Sequence, residues 1–291
     1  MDGPGIRFVV FMQGCPLRCL YCHNPDSWDS KQRGQYQLSP EELLAEVMRY
    51  KNFIARGGVT VTGGEPLMQA EFVKEFFLHC REAGIHTALD TSGAIFTPAV
   101  RETLDVTDLV LLDIKSIDPI QHKALTGAKQ DNTLRCLDYL EEQQIPVWIR
   151  HVLVPGWTDD DGLLQRLADF LRPYKCIEKV ELLPYHTMGT RKYEQMGMDY
   201  PLKDTPPLSA ERLKRAQEIL GMLAVSCMRS AISMHKMKQS LIIIPTQPYI
   251  IYQHSHTSLN QHIVLFSHYH IILSTSNLSD FFHFLIHYKD C

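Results

Sequence analysis

Ile6-Arg7-Phe8-Val9-Val10-Phe11-Met12-Gln13-Gly14-Cys15-Pro16-Leu17-Arg18-Cys19-Leu20-Tyr21-Cys22-His23-Asn24-Pro25 is the stretch on which the fold turns. Its first part, Ile6 to Met12, is an almost continuous apolar and β-branched run bounded by Gly5 and Gly14, the pattern of a strand buried on both faces in a parallel sheet. Its second part follows the end of that strand and carries three cysteines spaced C-x3-C-x2-C, which puts three thiolates within reach of one metal centre. Three cysteines can hold three irons of a 4Fe-4S cluster and leave the fourth open, whereas simple electron-carrying clusters take a fourth cysteine. An open coordination position is where a substrate binds, the logic that separates catalytic from structural zinc. A Cys3His zinc site from Cys15, Cys19, Cys22 and His23 is the competing reading, weakened because the adjacent Cys22 and His23 reach one tetrahedral ion only with difficulty.

Working outward, strand and helix patterns alternate. Ser39-Pro40-Glu41-Glu42 reads as a capping box with proline at the first helical position, followed by an apolar face of Leu43, Leu44, Val47 and Met48. That helix is expected to run to about Ala55, where Gly57-Gly58 stop it. Val59 to Thr62 then reads as a strand and Phe72 to Cys80 as a helix ended near Gly84. Strands follow at His86 to Asp90, Leu109 to Ile114, Val147 to Leu153 and Val180 to Leu183. The helices between them start at Thr97-Pro98 and carry Leu134, Leu137 and Leu140, then Leu163, Leu164, Leu167 and Leu171, with a last one from Ser209. Alternation of this kind implies right-handed crossovers and a parallel α/β sheet. Six strands are too few for a closed eight-stranded barrel, so an open, partial (β/α)6 barrel is expected, with a doubly wound sheet as the alternative.

In parallel α/β folds ligands gather at the carboxyl ends of strands. This chain places the three cysteines, Gly63-Gly64-Glu65-Pro66, Asp90-Thr91, Asp113 with Lys115, Arg150-His151 and His186 after successive strands. Any one of them alone is more simply a cap, a surface charge or a satisfied core histidine; their shared position argues for one mouth.

The 291 residues are 45% hydrophobic with a net charge of -4, a globular composition without the basic block expected of a nucleic-acid partner. Eight cysteines without apparent pairing fit a reducing compartment. No basic-then-apolar leader opens the chain, which makes cytoplasm the expected location. Past Gly221 the composition changes: only Asp280 and Asp290 are acidic there, while eight of the 14 histidines follow that point. The apolar runs Leu241 to Ile244, Ile263 to Phe266 and Phe281 to Ile286 are too short to span a bilayer. Residues 1–221 are therefore expected to form the domain, with 222–291 a weakly ordered appendage, possible as an out-of-frame or fused extension.

The C-x3-C-x2-C loop with Tyr21 before its third cysteine, joined by Gly63-Gly64-Glu65-Pro66, resembles the signature of the radical S-adenosylmethionine (radical SAM) enzymes. Asp2-Gly3-Pro4-Gly5-Ile6-Arg7-Phe8, Tyr21-Cys22-His23-Asn24, Leu89-Asp90-Thr91, Asp113-Ile114-Lys115, Val154-Pro155-Gly156-Trp157 and Leu182-Leu183-Pro184-Tyr185-His186 together resemble the pyruvate formate-lyase activating enzymes, from Asp2 to about Leu220. The resemblance implies a 4Fe-4S cluster on Cys15, Cys19 and Cys22, and SAM held by Tyr21, Cys22, His23, Gly64, Asp113, Ile114, Lys115 and His186. It also implies a monovalent cation at Asp90, Thr91 and Asp113. An electron from reduced flavodoxin or ferredoxin would cleave SAM to methionine and a 5'-deoxyadenosyl radical, which takes a hydrogen from a glycine of pyruvate formate-lyase. The family carries a further segment before Asp2, so the start is expected to be truncated. Two alternatives stand beside this. Activation of another glycyl-radical enzyme is countered by the absence of cysteine between Cys22 and Gly63, and a non-catalytic iron-sulfur protein would leave the other motifs as coincidence.

Overall fold

The computed structural model describes residues 2–31 and 36–221, and beyond them the backbone of short strands within 242–273. The chain starts with β1 (Arg7–Met12), α1 (Pro40–Met48), β2 (Gly58–Gly63), α2 (Ala70–Glu82), β3 (Thr87–Thr91), α3 (Pro98–Leu104) and β4 (Leu109–Asp113). It continues with α4 (Pro119–Thr126), α5 (Asp131–Glu142), β5 (Val147–Leu153), α6 (Asp161–Leu171), β6 (Ile177–Pro184), α7 (Thr190–Gln195) and α8 (Ala210–Leu220).

Strands β1 to β6 lie side by side in chain order, each parallel to the next. Every crossover therefore steps one strand in the same direction. A doubly wound sheet would reverse its order at a switch point, so the alternative is excluded and the open (β/α)6 arrangement stands. The sheet does not close: β6 has β5 as its one strand partner among the described residues.

Both faces of β1 are covered, as its almost continuous apolar run requires. Phe8, Val10 and Met12 face the helix layer, where they meet Leu43 and Val47 of α1 and Phe76, Phe77 and Cys80 of α2. Complete burial of a side chain such as Val10 contributes about 1.5–3 kcal/mol relative to exposure. The capping box forms: the Ser39 hydroxyl accepts from the Glu42 N–H while the Glu42 carboxylate accepts from the Ser39 N–H. Helix α1 ends at Met48, short of Ala55, because Gly58 must return beside Arg7 to begin β2. Gly57 passes so close to Ile6 that a Cβ would lie 1.8 Å from its carbonyl oxygen.

Arg7 is the peg of this corner. Its buried guanidinium donates to the Thr60 hydroxyl and to the carbonyls of Pro4, Gly57, Val59 and His86, tying the Asp2–Gly5 segment to β2 and the start of β3.

The other edge of β1 carries β7 to β10 only in part: β8 (Pro248–His254) pairs parallel to β1 and β9 (Gln261–Ser267) antiparallel to β8. Strands β7 (Ile242–Ile244) and β10 (Ile271–Leu273) pair with each other. The rest of 222–291, and with it most of the segment expected to be an appendage, lies outside the described residues. No helix among the described residues is long and apolar enough to cross a membrane.

Candidate functional site

The carboxyl ends of the six strands open into one cavity of about 510 Å³, within the size range of small-molecule sites. Cys15, Cys19, Cys22, Tyr21 and His23 line it from the loop after β1, Gly63 and Gly64 from the end of β2, and Asp90 and Thr91 from β3. Asp113 ends β4 and Lys115 follows it, Arg150 comes from β5 and His186 from the turn after β6.

The cysteine loop is held by main-chain bonds to the turn at Ser27 and to the end of α4. Gly14 N–H donates to Ser27 C=O, Arg18 N–H to Thr126 C=O and Leu20 N–H to Leu125 C=O. Around the thiols lies an apolar shell of Leu17, Tyr21, Leu125, Val154, Tyr185, Tyr193, Tyr200 and Leu202, joined by Trp28. Burial pushes the Cys15 and Cys19 thiols up to about 12 and raises Cys22 as well. In so dry a place a thiolate forms only against a cation, so metal binding here would release protons. At Cys22 the effect of burial is partly offset by the nearby Asn24 main chain and Trp28 side chain. All six cysteines among the described residues are free thiols.

His23 does not complete a zinc tetrahedron. Its ring stacks on His186 at 4.3 Å between centroids, and its Nε2 lies 3.1 Å from the His186 carbonyl. The competing Cys3His reading thus loses its fourth ligand, while three cysteines facing a roomy cavity fit a cluster with one iron left open.

The opposite wall is ionic. Lys115 Nζ lies 2.7 Å from Asp113 Oδ2 and 5.7 Å from the centre of the Tyr21 ring. Burial alone would lower the Lys115 ammonium, but Asp113 holds it well above its ordinary value. Arg150 Nη1 lies 2.7 Å from Asp90 Oδ2, which also accepts from the Thr62 hydroxyl at 2.8 Å. Burial raises the Asp90 carboxyl and Arg150 opposes that, while Asp90 holds the guanidinium above its usual range. Asp90 Oδ1, Arg150 Nε and His186 Nδ1 are buried with no hydrogen-bond partner among the described residues. Such orphaned polar atoms belong to a site whose ligand satisfies them.

Strand alternation sorts the remaining expectations. Thr91 reaches the cavity edge, but its hydroxyl turns away and donates to Glu65 Oε1 at 2.5 Å. Ile114 falls between Asp113 and Lys115, so its side chain points into the core and its carbonyl faces His151 Nδ1 at 2.7 Å. It does not line the cavity. His151, next to Arg150, likewise faces the helix layer, buried and kept neutral by that burial. The period of two along a strand is the signal that separates each of these from its neighbour.

Glu65 is also turned inward. Its carboxylate accepts from the N–H of Leu67 and of Ser92 and from the hydroxyls of Thr91 and Ser92, and its own N–H donates to Gly14 C=O. It thus ties the ends of β1, β2 and β3 together. Gly63 sits at φ +109, a left-handed value, and a Cβ on Gly64 would lie 2.1 Å from the Gly14 carbonyl oxygen. Only glycines let the backbone pass so near the cysteine loop.

The comparisons agree with this geometry. The Radical SAM superfamily model matches residues 9–168. The pyruvate formate-lyase 1-activating enzyme of Escherichia coli (strain K12) is 46% identical over 224 residues, 76% of this chain and 90% of that protein. The pyruvate formate-lyase-activating enzyme of Streptococcus mutans serotype c is 46% identical over 227 residues, 76% of this chain and 86% of that protein. Among solved structures, Streptococcus suis SuiB bound to S-adenosylmethionine superposes with a TM-score of 0.59 at 17% identity, over 80% of this chain and 48% of that one, a likeness of fold alone.

Fold, cysteine loop and family model together make this chain a radical SAM enzyme. That family implies an iron-sulfur cluster and SAM. Within it, the chain belongs to the pyruvate formate-lyase activating enzymes.

Proposed function

We propose that the chain activates pyruvate formate-lyase by generating a radical on one of its glycines. The observation that carries this reading is the convergence of Cys15, Cys19 and Cys22 with the Gly63-Gly64 turn and the Asp113–Lys115 pair on one cavity. When bound, the 4Fe-4S cluster and SAM would supply a 5'-deoxyadenosyl radical and methionine, after one electron from reduced flavodoxin or ferredoxin.

The protein's own part is placement and exclusion of water. Lys115 offers a point charge to the SAM carboxylate. Gly64 has its N–H committed to Met12, so what it offers is a carbonyl, the right partner for the SAM ammonium. Asp113 accepts, and the orphaned Nδ1 of His186 can donate to the ribose or adenine. Tyr21, Cys22 and His23 form the floor beneath. Asp90, whose Oδ1 is buried without a partner among the described residues, and Asp113 would hold the monovalent cation, with Thr91 contributing no hydroxyl. Residues 1–221 form the catalytic domain in this reading and 222–291 an appendage to it.

An open mouth suits a protein substrate, because a target glycine must arrive on another chain. The test is anaerobic incubation with pyruvate formate-lyase, SAM and reductant. A glycyl radical signal on that partner is expected. A radical formed on a different lyase and absent from pyruvate formate-lyase would move the assignment to another activase.

A further inference from the structure

The segment after β6 folds back over the cysteine loop and is fastened to it. Lys192, in α7, sends three bonds to the turn that follows the cysteines: its Nζ donates to Asn24 Oδ1 at 2.9 Å and to the two Asp26 carboxylate oxygens at 2.9 and 3.1 Å. The two charged side chains are 33% and 19% exposed, so water and salt screen them less than they screen a surface bridge. Hydrogen bonds between ionised groups are also the strong ones.

Between Lys192 and His186 the chain is stiff. Lys192 N–H donates to Gly189 C=O, and the N–H and hydroxyl of Thr190 both donate to Thr187 C=O. On the other side of His186, Tyr185 N–H donates to Leu153 C=O at the end of β5, and Tyr185 C=O accepts from Leu208 N–H. The turn is thus pinned to the sheet at Tyr185 and to the cysteine loop at Lys192, with His186 between the two pins. The His186 ring stacks on His23 at 4.3 Å between centroids, and its Nδ1 is the buried, unpartnered atom noted above. A Cβ on Gly189 would come within 2.7 Å of the His23 ring, so the turn has little room to move toward the loop. Lys192 keeps it from moving away.

We propose that Lys192 is a positioning residue for the SAM pocket: by clamping α7 to Asn24 and Asp26 it holds His186 against His23, so that Nδ1 of His186 stays available to the adenosine end of SAM. Lys192 does not line the cavity and acts through His186. The inference rests on the assignment of His186 to SAM made above and adds what keeps that side chain in place. A group displaced by a change outside the pocket can cost as much binding or rate as one removed, which is why a residue beyond the cavity wall matters to it.

The test is equilibrium dialysis of SAM against the reconstituted full chain, with iron counted in every sample, across a double-mutant cycle of Lys192→Met and His186→Ala. Lys192→Met is expected to weaken SAM binding about fivefold to tenfold, the weight of one hydrogen bond, at unchanged iron content. In the His186→Ala background the same substitution should have no further effect, because the residue it positions is gone. Asp26→Ala, which cuts the clamp from the other side, should reproduce the loss. Lys192→Arg, which keeps a cationic donor on a long stem, should recover most of the affinity. Arg172→Met, which removes an exposed ion pair with Asp169, should bind SAM like the parent. Unchanged affinity in Lys192→Met overturns the proposal. So does an equal further loss in the His186→Ala background, which would mark a general loosening of the fold. Iron lost together with affinity in Lys192→Met overturns it too, by assigning the clamp to the cluster loop. A His186→Ala chain that binds SAM as tightly as the parent removes the His186 assignment, and the proposal with it, a failure visible in that variant alone.

Discussion

The two walls of the cavity are built on opposite principles. The wall formed by the cysteine loop is apolar, roofed by tyrosines and Trp28, and its thiols are held neutral by burial. The facing wall holds two acids and two bases that neutralise one another as Asp113–Lys115 and Asp90–Arg150. The first becomes charged only by taking metal; the second is already charged and needs only to exchange partners when a zwitterionic ligand arrives. A dry wall protects reactive chemistry and a self-paired wall binds without leaving naked charge beforehand, an arrangement suited to the cluster and SAM that the family implies.

Breaking the dry wall should have the largest effect. Cys19→Ala is expected to abolish both the cluster and SAM cleavage, read by iron content and 5'-deoxyadenosine, whereas Cys136→Ala, in the core behind β4, should do neither. Equal cluster loss in both would remove the distinction between ligand and packing cysteines. Next comes the ionic wall: Lys115→Met leaves Asp113 buried without its partner, and should lower stability by about 3 kcal/mol and raise the KM for SAM at least tenfold. Adding Asp113→Asn should restore stability in denaturant titration but not the KM. Recovery of both together would mean that the pair is structural only.

A smaller effect comes from acid. Burial lowers His23, His186 and the fully buried His151 below the ordinary 6.5. The unfolded chain then binds more protons than the folded one just below pH 6.5, so stability present above that value is lost as pH falls toward the folded values. Thermal unfolding should show a midpoint declining below pH 6.5, with a shallower decline in His151→Gln; identical slopes would exclude His151 from the effect. The smallest change is expected at Ile114→Val, about 1 kcal/mol of stability and no change in the KM for SAM, since the side chain lies behind the wall. A raised KM would put Ile114 back in the site.

Much of this was legible in the sequence because it is local. The strand before the cysteines, the Ser39 capping box and the residues at successive strand ends each carry their signal within a few positions. Period-two alternation would also have turned Ile114 and His151 away from the cavity. Helix α4 was missed because Pro119–Thr126 has little apolar face, although Asp118-Pro119 before it and Gly127 after it are start and stop signals. Helix α7, only 6 residues long, is too short for periodicity to show. The aromatic shell could not be read at all: Trp28, Tyr193 and Tyr200 come together only through the fold. Arg7 and Glu65 sit inside recognisable motifs, yet their side chains staple strands together, a distinction that depends on which way each one turns.

The central claim is that the three cysteines hold a cluster whose open iron faces SAM across the ionic wall. Anaerobic reconstitution of the full chain, reduction, and addition of SAM tests it most directly. About four irons per chain and formation of 5'-deoxyadenosine with methionine are expected. About four irons bound with no 5'-deoxyadenosine formed would contradict it.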